Sequence, residues 1–400
     1  MIWVACFVLA AALTVAPPVL QVWWAVAALV ALAALAAALR AVAGRARGRA
    51  GRRAAWRAGL GLEAAERACG FDGRLSGTCE LAAAEVGRVR CVYPGGALDH
   101  LRNFQGTLHG GAAASILDIV TTLALVAGGH APGVSADLKV SYALPVKAGS
   151  AFEVEARVLR VGRALAVVEG RVWASGPGGE VCSSPAAVAT HTKVLPRTQQ
   201  WLFALVWLLP PRLVEGLLRR YVWKDRAPGA GQLAKTVSGG FVSLPSSWAS
   251  KGEYWRTFAE RVGTSGFKPV GFDAELHGLS ACACEPAADG EEPVSCFRLP
   301  VAPELCNAFG MLHGGAIFAA IDMAATACLA ASGAPAGPTV NCAVHYLSPA
   351  PAGSVVYIAT HVQKLGKTLH FVTVSLYKAG YRSSRRKLLA RGDVIKAAAP

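Results

Sequence analysis

Two aspartates stand alone in apolar company. Asp118 is the only charged residue of Gly111–Val126, and Asp322 is the only one of Gly315–Ala331. Each stretch is apolar at helical length, so each predicts a helix buried all round. A carboxylate inside such a helix is costly unless it is paired or reaches solvent. Its recurrence points to a cavity-lining group that acts as nucleophile or general base; a core aspartate satisfied by its neighbours is the other reading. Just before each helix stands His-Gly-Gly, as His109-Gly110-Gly111 and His313-Gly314-Gly315. At a helix N-terminus the free N–H groups and the dipole favour a developing negative charge. Gly110 and Gly314 leave room for a ligand there, which makes each a candidate oxyanion site. Plain turn chemistry is the alternative.

Gly110 and Asp118 are eight residues apart, about 12 Å along one helix. They cannot meet at one reacting carbon. A duplication supplies the missing partner. Asn103 to Gly111 recurs as Asn307 to Gly315 at an offset of 204 residues, and the register holds through Asp118/Asp322, Tyr142/Tyr346, Pro145/Pro349 and Gly162/Gly366. Upstream, Gly70-Phe71-Asp72 recurs as Gly271-Phe272-Asp273 at an offset of 201. A spacing this long marks two whole domains of about 130 residues each, not solenoid units. With pseudo-twofold symmetry, Gly110 works with Asp322 and Gly314 with Asp118, which predicts two composite sites.

The elements that must position these groups follow the same repeat. Alternating, strand-like runs come after each helix: Ser135–Leu144, Ala151–Leu159 and Ala164–Ala174 in copy one; Thr339–Leu347, Ser354–Val362 and Thr368–Lys378 in copy two. One buried helix followed by antiparallel strands implies an α+β domain whose sheet wraps the helix.

Asn-x-x-Gly-x-Leu-His-Gly-Gly with an Asp nine residues after the His resembles the PaaI-like hotdog-fold thioesterases. The resemblance covers Gly70–Leu195 and again Gly271–Lys396, with Gly133-Val-Ser135-Ala-Asp137, Leu144-Pro145 and Leu365-Gly366-Lys367-Thr368-Leu369 adding to it. It implies two tandem hotdog domains, each an antiparallel sheet around one long helix. It also implies hydrolysis of acyl-CoA to free acid and CoA, with no metal and no cofactor beyond the coenzyme A of the substrate. By the same resemblance one site comprises Asn103, His109 and Gly110 with Asp322 and Thr339. The other comprises Asn307, His313 and Gly314 with Asp118 and Ser135. The glycine N–H polarises the thioester carbonyl, the Asp acts as nucleophile or base for water, and the Asn and His position substrate and water. The hydroxyl assists the Asp. Thr339 departs from the Ser of copy one but keeps the hydroxyl. The family's habit of assembling adds a homodimer of such double units as a partner.

Composition bounds the surroundings. The chain has 400 residues and a formal net charge of +15, with 54% hydrophobic residues and a mean hydropathy of +0.40. The excess apolarity is local. Met1–Leu39 carries no charge, Arg40, Arg45, Arg47, Arg49, Arg52, Arg53 and Arg57 follow, and the first acidic residue is Glu63. A basic cluster beside an apolar segment points to a membrane surface rather than nucleic acid. The expected organisation is therefore an apolar anchor or targeting segment (1–39), an Arg-rich flank (40–60), a first hotdog domain (61–195), a linker with an apolar helix (196–235) and a second hotdog domain (236–400). A retained anchor leaves the domains on the cytosolic side; a cleaved organelle-targeting segment is the alternative. The linker helix either lies in a membrane interface or packs on the folded domains. A fatty acyl chain is the substrate such an anchor suggests.

The basic turns Arg160-Val-Gly162-Arg163 and Lys364-Leu-Gly366-Lys367 are candidate contacts for coenzyme A phosphates, or else solvated hairpins. The eleven cysteines form no C-x-x-C pair and read as small core residues. The remaining histidines, His191 and His370 among them, read as structural, and Arg382–Arg391 as a solvated or membrane-facing run. Two rival functions remain: a hotdog hydratase or dehydratase, and a non-catalytic acyl-CoA-binding regulator or membrane scaffold.

Overall fold

The computed structural model describes residues 50–64, 71–76, 79–95, 100–103, 106–147, 149–176, 180–217, 272, 276, 279–282, 295–307, 309–334, 336–378 and 387–398. The anchor expectation for 1–39, residues 40–49 of the Arg-rich flank and residues 218–235 of the linker lie outside them, as do Gly70 and Gly271.

Residues 50–64 form helix α1. Copy one then runs α2 (Phe71–Ser76), β1 (Glu80–Glu85), β2 (Arg88–Tyr93), α3 (Gly110–Ala127), β3 (Val134–Tyr142), β4 (Phe152–Val161), β5 (Leu165–Ala174) and β6 (Ala187–Val194). Helices α4 (Arg197–Leu208) and α5 (Pro211–Leu217) follow. Copy two runs β7 (Ser280–Cys282), β8 (Ser295–Pro300), α6 (Gly314–Ala331), β9 (Ala336–Tyr346), β10 (Val355–Leu365), β11 (Leu369–Lys378) and β12 (Lys387–Ala398). The strand-like runs read from the sequence correspond to β3–β5 and β9–β11. Strands β1, β2, β6, β7, β8 and β12 have no counterpart among those runs. The terminal basic run continues into β12, where Arg391 occupies an outward, exposed position.

The twelve strands of the described residues join in one antiparallel sheet, ordered β1-β2-β4-β5-β6-β3-β9-β12-β11-β10-β8-β7. The copies meet at β3 and β9, where Asp137 pairs with His345, Lys139 with Ala343 and Ser141 with Asn341. Lys139 and Ala343 are equivalent positions of the repeat, so the pseudo-twofold passes between them. The Asn341 amide donates to Ser141 Oγ at 2.8 Å across the seam.

Helices α3 and α6 are buried along nearly their whole length. Either is long and apolar enough to cross a membrane by composition alone, yet 89% and 78% of their apolar windows are enclosed by the protein. They pack antiparallel. The second glycine of each His-Gly-Gly makes that approach possible: a Cβ on Gly111 would stand 2.8 Å from Ala319 Cα, and one on Gly315 would strike the Ser115 side chain.

The sheet supplies the site through its two-residue alternation. In β6, Ala187, Ala189, His191 and Lys193 face inward; in β12, Ala390, Gly392, Val394 and Lys396 do. The linker packs on the protein in its described part. Trp56 of α1 meets Trp207 of α4 edge-on at 5.5 Å, donates to Glu215 of α5 at 2.7 Å, and Arg57 lies over the Trp207 ring. Cys79, Cys91, Cys296, Cys306, Cys328 and Cys342 are buried, and Cys182 is half-buried.

Candidate active site

Each His-Gly-Gly opens a helix in the same way. His109 and His313 are N-caps with extended backbone, and their Nδ1 atoms accept from the N–H of Gly111 and Gly315 at 2.9 Å. An N–H can only donate, so Nδ1 is the acceptor and a neutral ring carries its proton on Nε2. Gly110 N–H and Gly314 N–H make no hydrogen bond among the described residues. These donors belong to a first helical turn, which has no intrahelical acceptor for them. Tyr142 donates to Gly110 O at 2.6 Å and Tyr346 to Gly314 O at 3.1 Å, fixing each turn from the adjacent strand.

Because α3 and α6 are antiparallel, the helix start of one copy faces the aspartate of the other. A Cβ on Gly110 would lie 3.3 Å from Asp322 Oδ2, and one on Gly314 would lie 3.1 Å from Asp118 Oδ2. His313 Nε2 is 3.9 Å from Asp118 Oδ2. In both places Oδ2 points across the seam while Oδ1 is held within its own copy. At Asp322, Thr339 donates to Oδ1 at 2.6 Å and Lys396 at 2.9 Å. At Asp118, the Ser135 hydroxyl stands 3.2 Å and Lys193 Nζ 3.5 Å from Oδ1.

A family model described as the thioesterase superfamily matches residues 105–181 and again 309–383. The human protein named acyl-coenzyme A thioesterase 13 is 36% identical over 106 residues, which are 26% of this chain and 74% of that protein. The mouse protein of the same name is 34% identical over 132 residues, 32% of this chain and 86% of its own length. The chain belongs to the thioesterase superfamily. A solved zebrafish thioesterase superfamily member 2 is 31% identical, covering 34% of this chain and 93% of that one with a TM-score of 0.30.

The sequence-derived residues of this thioesterase fall into two groups. Gly110, His109, Asp322 and Thr339 come together, as do Gly314, His313, Asp118 and Ser135. Asn103 and Asn307 are engaged in their own loops. Asn103 Oδ1 accepts from Thr107 N at 3.0 Å, and Asn307 Oδ1 accepts from Phe309 N and Met311 N at 3.0 and 3.2 Å. In this state the asparagines shape the loop that leads into each helix. Arg160, Arg163, Lys364 and Lys367 are exposed at the β4–β5 and β10–β11 turns, each beside a bulge. Among the described residues no group of three or more His, Cys, Asp or Glu could hold a metal ion.

The structure adds further residues to each site. Lys193 and Lys396 are 4% and 3% exposed and pair with the aspartates. Burial alone raises the Asp118 carboxyl, but Lys193, His191 and His313 together with Ser135 outweigh it and hold it well below the usual carboxylate range. Asp322 is likewise lowered: burial opposes, while Lys396, His109 and Thr339 prevail. His191, read as structural, lies in the site: its Nε2 is 3.0 Å from Ser135 Oγ and 3.5 Å from Asp118 Oδ1. Burial foremost, then Lys193, pushes it down to about 3. An inward lysine on a strand carries a weak sequence signal. Its presence at matching places in both copies, Lys193 and Lys396, was the available one.

Proposed function

We propose that the protein hydrolyses acyl-CoA thioesters to free acid and CoA at two composite sites, Gly110 with Asp322 and Gly314 with Asp118. The observation that carries this is the cross-copy approach of each Oδ2 to the opposite glycine, 3.3 and 3.1 Å from the Cβ position. A thioester carbonyl oxygen placed on Gly110 N–H gains a donor and the positive end of a helix. Its carbon then lies toward Asp322 Oδ2. That oxygen attacks the carbon or takes a proton from an attacking water; either path builds negative charge on the carbonyl oxygen opposite the N–H. Thr339 and Lys396 occupy Oδ1 and so leave Oδ2 as the reacting atom. His109 and His313 offer Nε2–H as a donor to substrate or to the departing sulfur.

The hydratase reading needs a basic imidazole. The Nδ1 lone pair of each candidate histidine is already taken by a backbone N–H, which favours hydrolysis. A purely binding role leaves unexplained two ionised, paired carboxylates aimed at open helix N-termini. Coenzyme A enters as part of the substrate, and the exposed basic turns with Arg160, Arg163, Lys364 and Lys367 support a contact with its phosphates. The apolar, charge-free Met1–Leu39 followed by seven arginines supports a membrane-anchored enzyme acting on fatty acyl chains from the cytosolic side, with a homodimer as a further level of assembly. Thiol release from a panel of acyl-CoAs tests the reading. The wild-type chain is expected to turn over, and the Asp118→Asn/Asp322→Asn double variant to lose at least ~100-fold. An unchanged double variant would overturn it.

A further inference from the structure

The two sites hold the hydroxyl beside the carboxylate by different means. At Asp322 the holder is a lysine: Lys396 Nζ is 2.7 Å from Thr339 Oγ1 and 2.9 Å from Asp322 Oδ1. At Asp118 the equivalent lysine is turned toward helix α3, with Lys193 Nζ 2.6 Å from Thr122 Oγ1. Ser135 Oγ has His191 Nε2 at 3.0 Å instead. The chain of contacts continues inward: Thr121 Oγ1 lies 2.7 Å from His191 Nδ1 and 2.6 Å from Leu117 O. With the Thr121 proton on Nδ1, the ring carries Nε2–H, donates to Ser135 Oγ and leaves the Ser135 proton for Asp118 Oδ1. His191 and Thr121 are fully buried.

Copy two has neither residue. Leu138 pairs with His191 across β3 and β6, and the equivalent Cys342 pairs with Val394 across β9 and β12. Thr121 corresponds to Ala325 at the offset of 204 residues. The difference matches the Ser-to-Thr change. A threonine is stiff at χ1, whereas a serine samples its rotamers freely and needs an external holder. Thr339 has its own methyl and Lys396; Ser135 has His191.

We propose that His191, backed by Thr121, is a positioning residue of the Asp118–Gly314 site. It fixes the Ser135 hydroxyl against Asp118, the task Lys396 performs at the Asp322–Gly110 site. The two sites are therefore tuned by different side chains. This rests on the thioesterase reading above.

The test isolates each site in the full-length chain. Asp322→Asn leaves the Asp118–Gly314 site, and Asp118→Asn leaves the other. His191→Val, which installs the residue of copy two, is expected to lower kcat about tenfold in the Asp322→Asn background, with KM within about twofold. In the Asp118→Asn background it is expected to change kcat less than about twofold. His191→Gln keeps a hydrogen-bonding group and is expected to recover most of the loss. Equal losses in both backgrounds, or no loss in the Asp322→Asn background, overturn the proposal. Should His191→Val fail to melt cooperatively, Thr121→Ala carries the same test, with a kcat loss of about threefold expected in the Asp322→Asn background alone. Its loss in both backgrounds, or in neither, overturns the proposal. A wild-type chain that releases no thiol sinks the thioesterase reading, and the proposal with it, before any variant is compared.

Discussion

The Asp118 and Asp322 sites share their front and differ in their back. In front, a His-capped glycine N–H faces Oδ2 of the opposite carboxylate at nearly the same separation in each. Behind, Oδ1 of Asp322 takes two short bonds, 2.6 Å from Thr339 and 2.9 Å from Lys396. Oδ1 of Asp118 has only longer contacts, 3.2 Å to Ser135 and 3.5 Å to Lys193, with His191 alongside. Both carboxylates are held ionised, one mainly by a direct lysine contact and the other by a spread of charges around it. The atoms proposed to meet the thioester coincide, whereas the residues that set the carboxylate's partners vary. A duplicated enzyme can thus keep two copies of one front while their backs drift.

The largest expected effects test whether each front spans the two copies. Asp118→Asn should disable the site at Gly314, and Asp322→Asn the site at Gly110. Each exchange is nearly isosteric, and loss of the base or nucleophile costs at least ~100-fold at that site. With both sites active, either single variant keeps a substantial part of thiol release, and the double variant keeps almost none. Gly110→Val pushes a side chain into Asp322 and Tyr142, so combining it with Asp322→Asn strikes one site twice and should be no worse than either change alone. Combined with Asp118→Asn it strikes both sites and should be nearly dead. The reverse ranking would mean that each site lies within one copy.

Much of this front was legible in the sequence, and the back was not, for physical reasons. A charge inside an apolar helix announces itself, because no packing rule predicts it; Asp118 and Asp322 needed only the helical period. The eight-residue gap to Gly110 forced the cross-copy reading through simple length. Lys193, Lys396 and His191 sit on β6 and β12, strands whose mixed composition hides which face is inward until the register with β3 and β9 is known. The asparagines add a detail that the motif does not carry. Asn103 and Asn307 match the family motif, yet their side chains are engaged by local loop donors, which spacing alone does not reveal. Gly111 and Gly315 were visible as glycines, but their reason is the helix crossing, a tertiary fact.

Next in size is the effect of the basic turns, which asks whether the two sites share a way of holding substrate. Arg163 lies three residues before Ala166, the cross-strand partner of Lys193, and Lys367 lies three before His370, the partner of Lys396. Each turn thus flanks the carboxylate of its own copy. Removing the charges of Arg160 and Arg163 should raise KM for acyl-CoA several-fold, about 3–10, with a smaller change in kcat. The effect should be confined to the Asp322→Asn background. A short thioester without the nucleotide should be indifferent. Equal losses on both substrates would leave the turns with a folding role only.

A smaller difference should appear in the dependence of stability on pH. His191 is held near 3, while an unfolded imidazole titrates near ~6.5. Between those values the unfolded chain binds a proton that the folded chain refuses. The contribution is therefore fully present above about pH 6.5 and is lost as pH falls toward 3. Val394 supplies no such term. The melting temperature of His191→Val should therefore fall less steeply than that of the wild type between pH 7 and 4.5. Parallel profiles would show that His191 is not held neutral in the folded state.

The smallest effect concerns a second histidine on the other side of the comparison. His370 on β11 is 4% exposed, and neither ring nitrogen has a hydrogen-bond partner among the described residues. Its equivalent in copy one is Ala166, fully buried and apolar. Both face their lysines across the ladder, His370 opposite Lys396 and Ala166 opposite Lys193. Copy two thus carries an unpaid polar burial that copy one lacks, and an unsatisfied buried group costs about 1–3 kcal/mol. Leucine is close to histidine in volume and brings no polar atom. His370→Leu should therefore stabilise the protein, raising the melting temperature by about 2–4 °C per kcal/mol gained. Ala166→His should lower it, both by the same desolvation and by overpacking. Thiol release in the Asp118→Asn background, where only the Asp322 site works, should be unchanged by His370→Leu. A variant that instead melts lower and turns over more slowly in that background would show that the His370 ring bonds a water or a substrate atom in the working enzyme. The asymmetry between the sites would then extend from the carboxylate's back to its substrate.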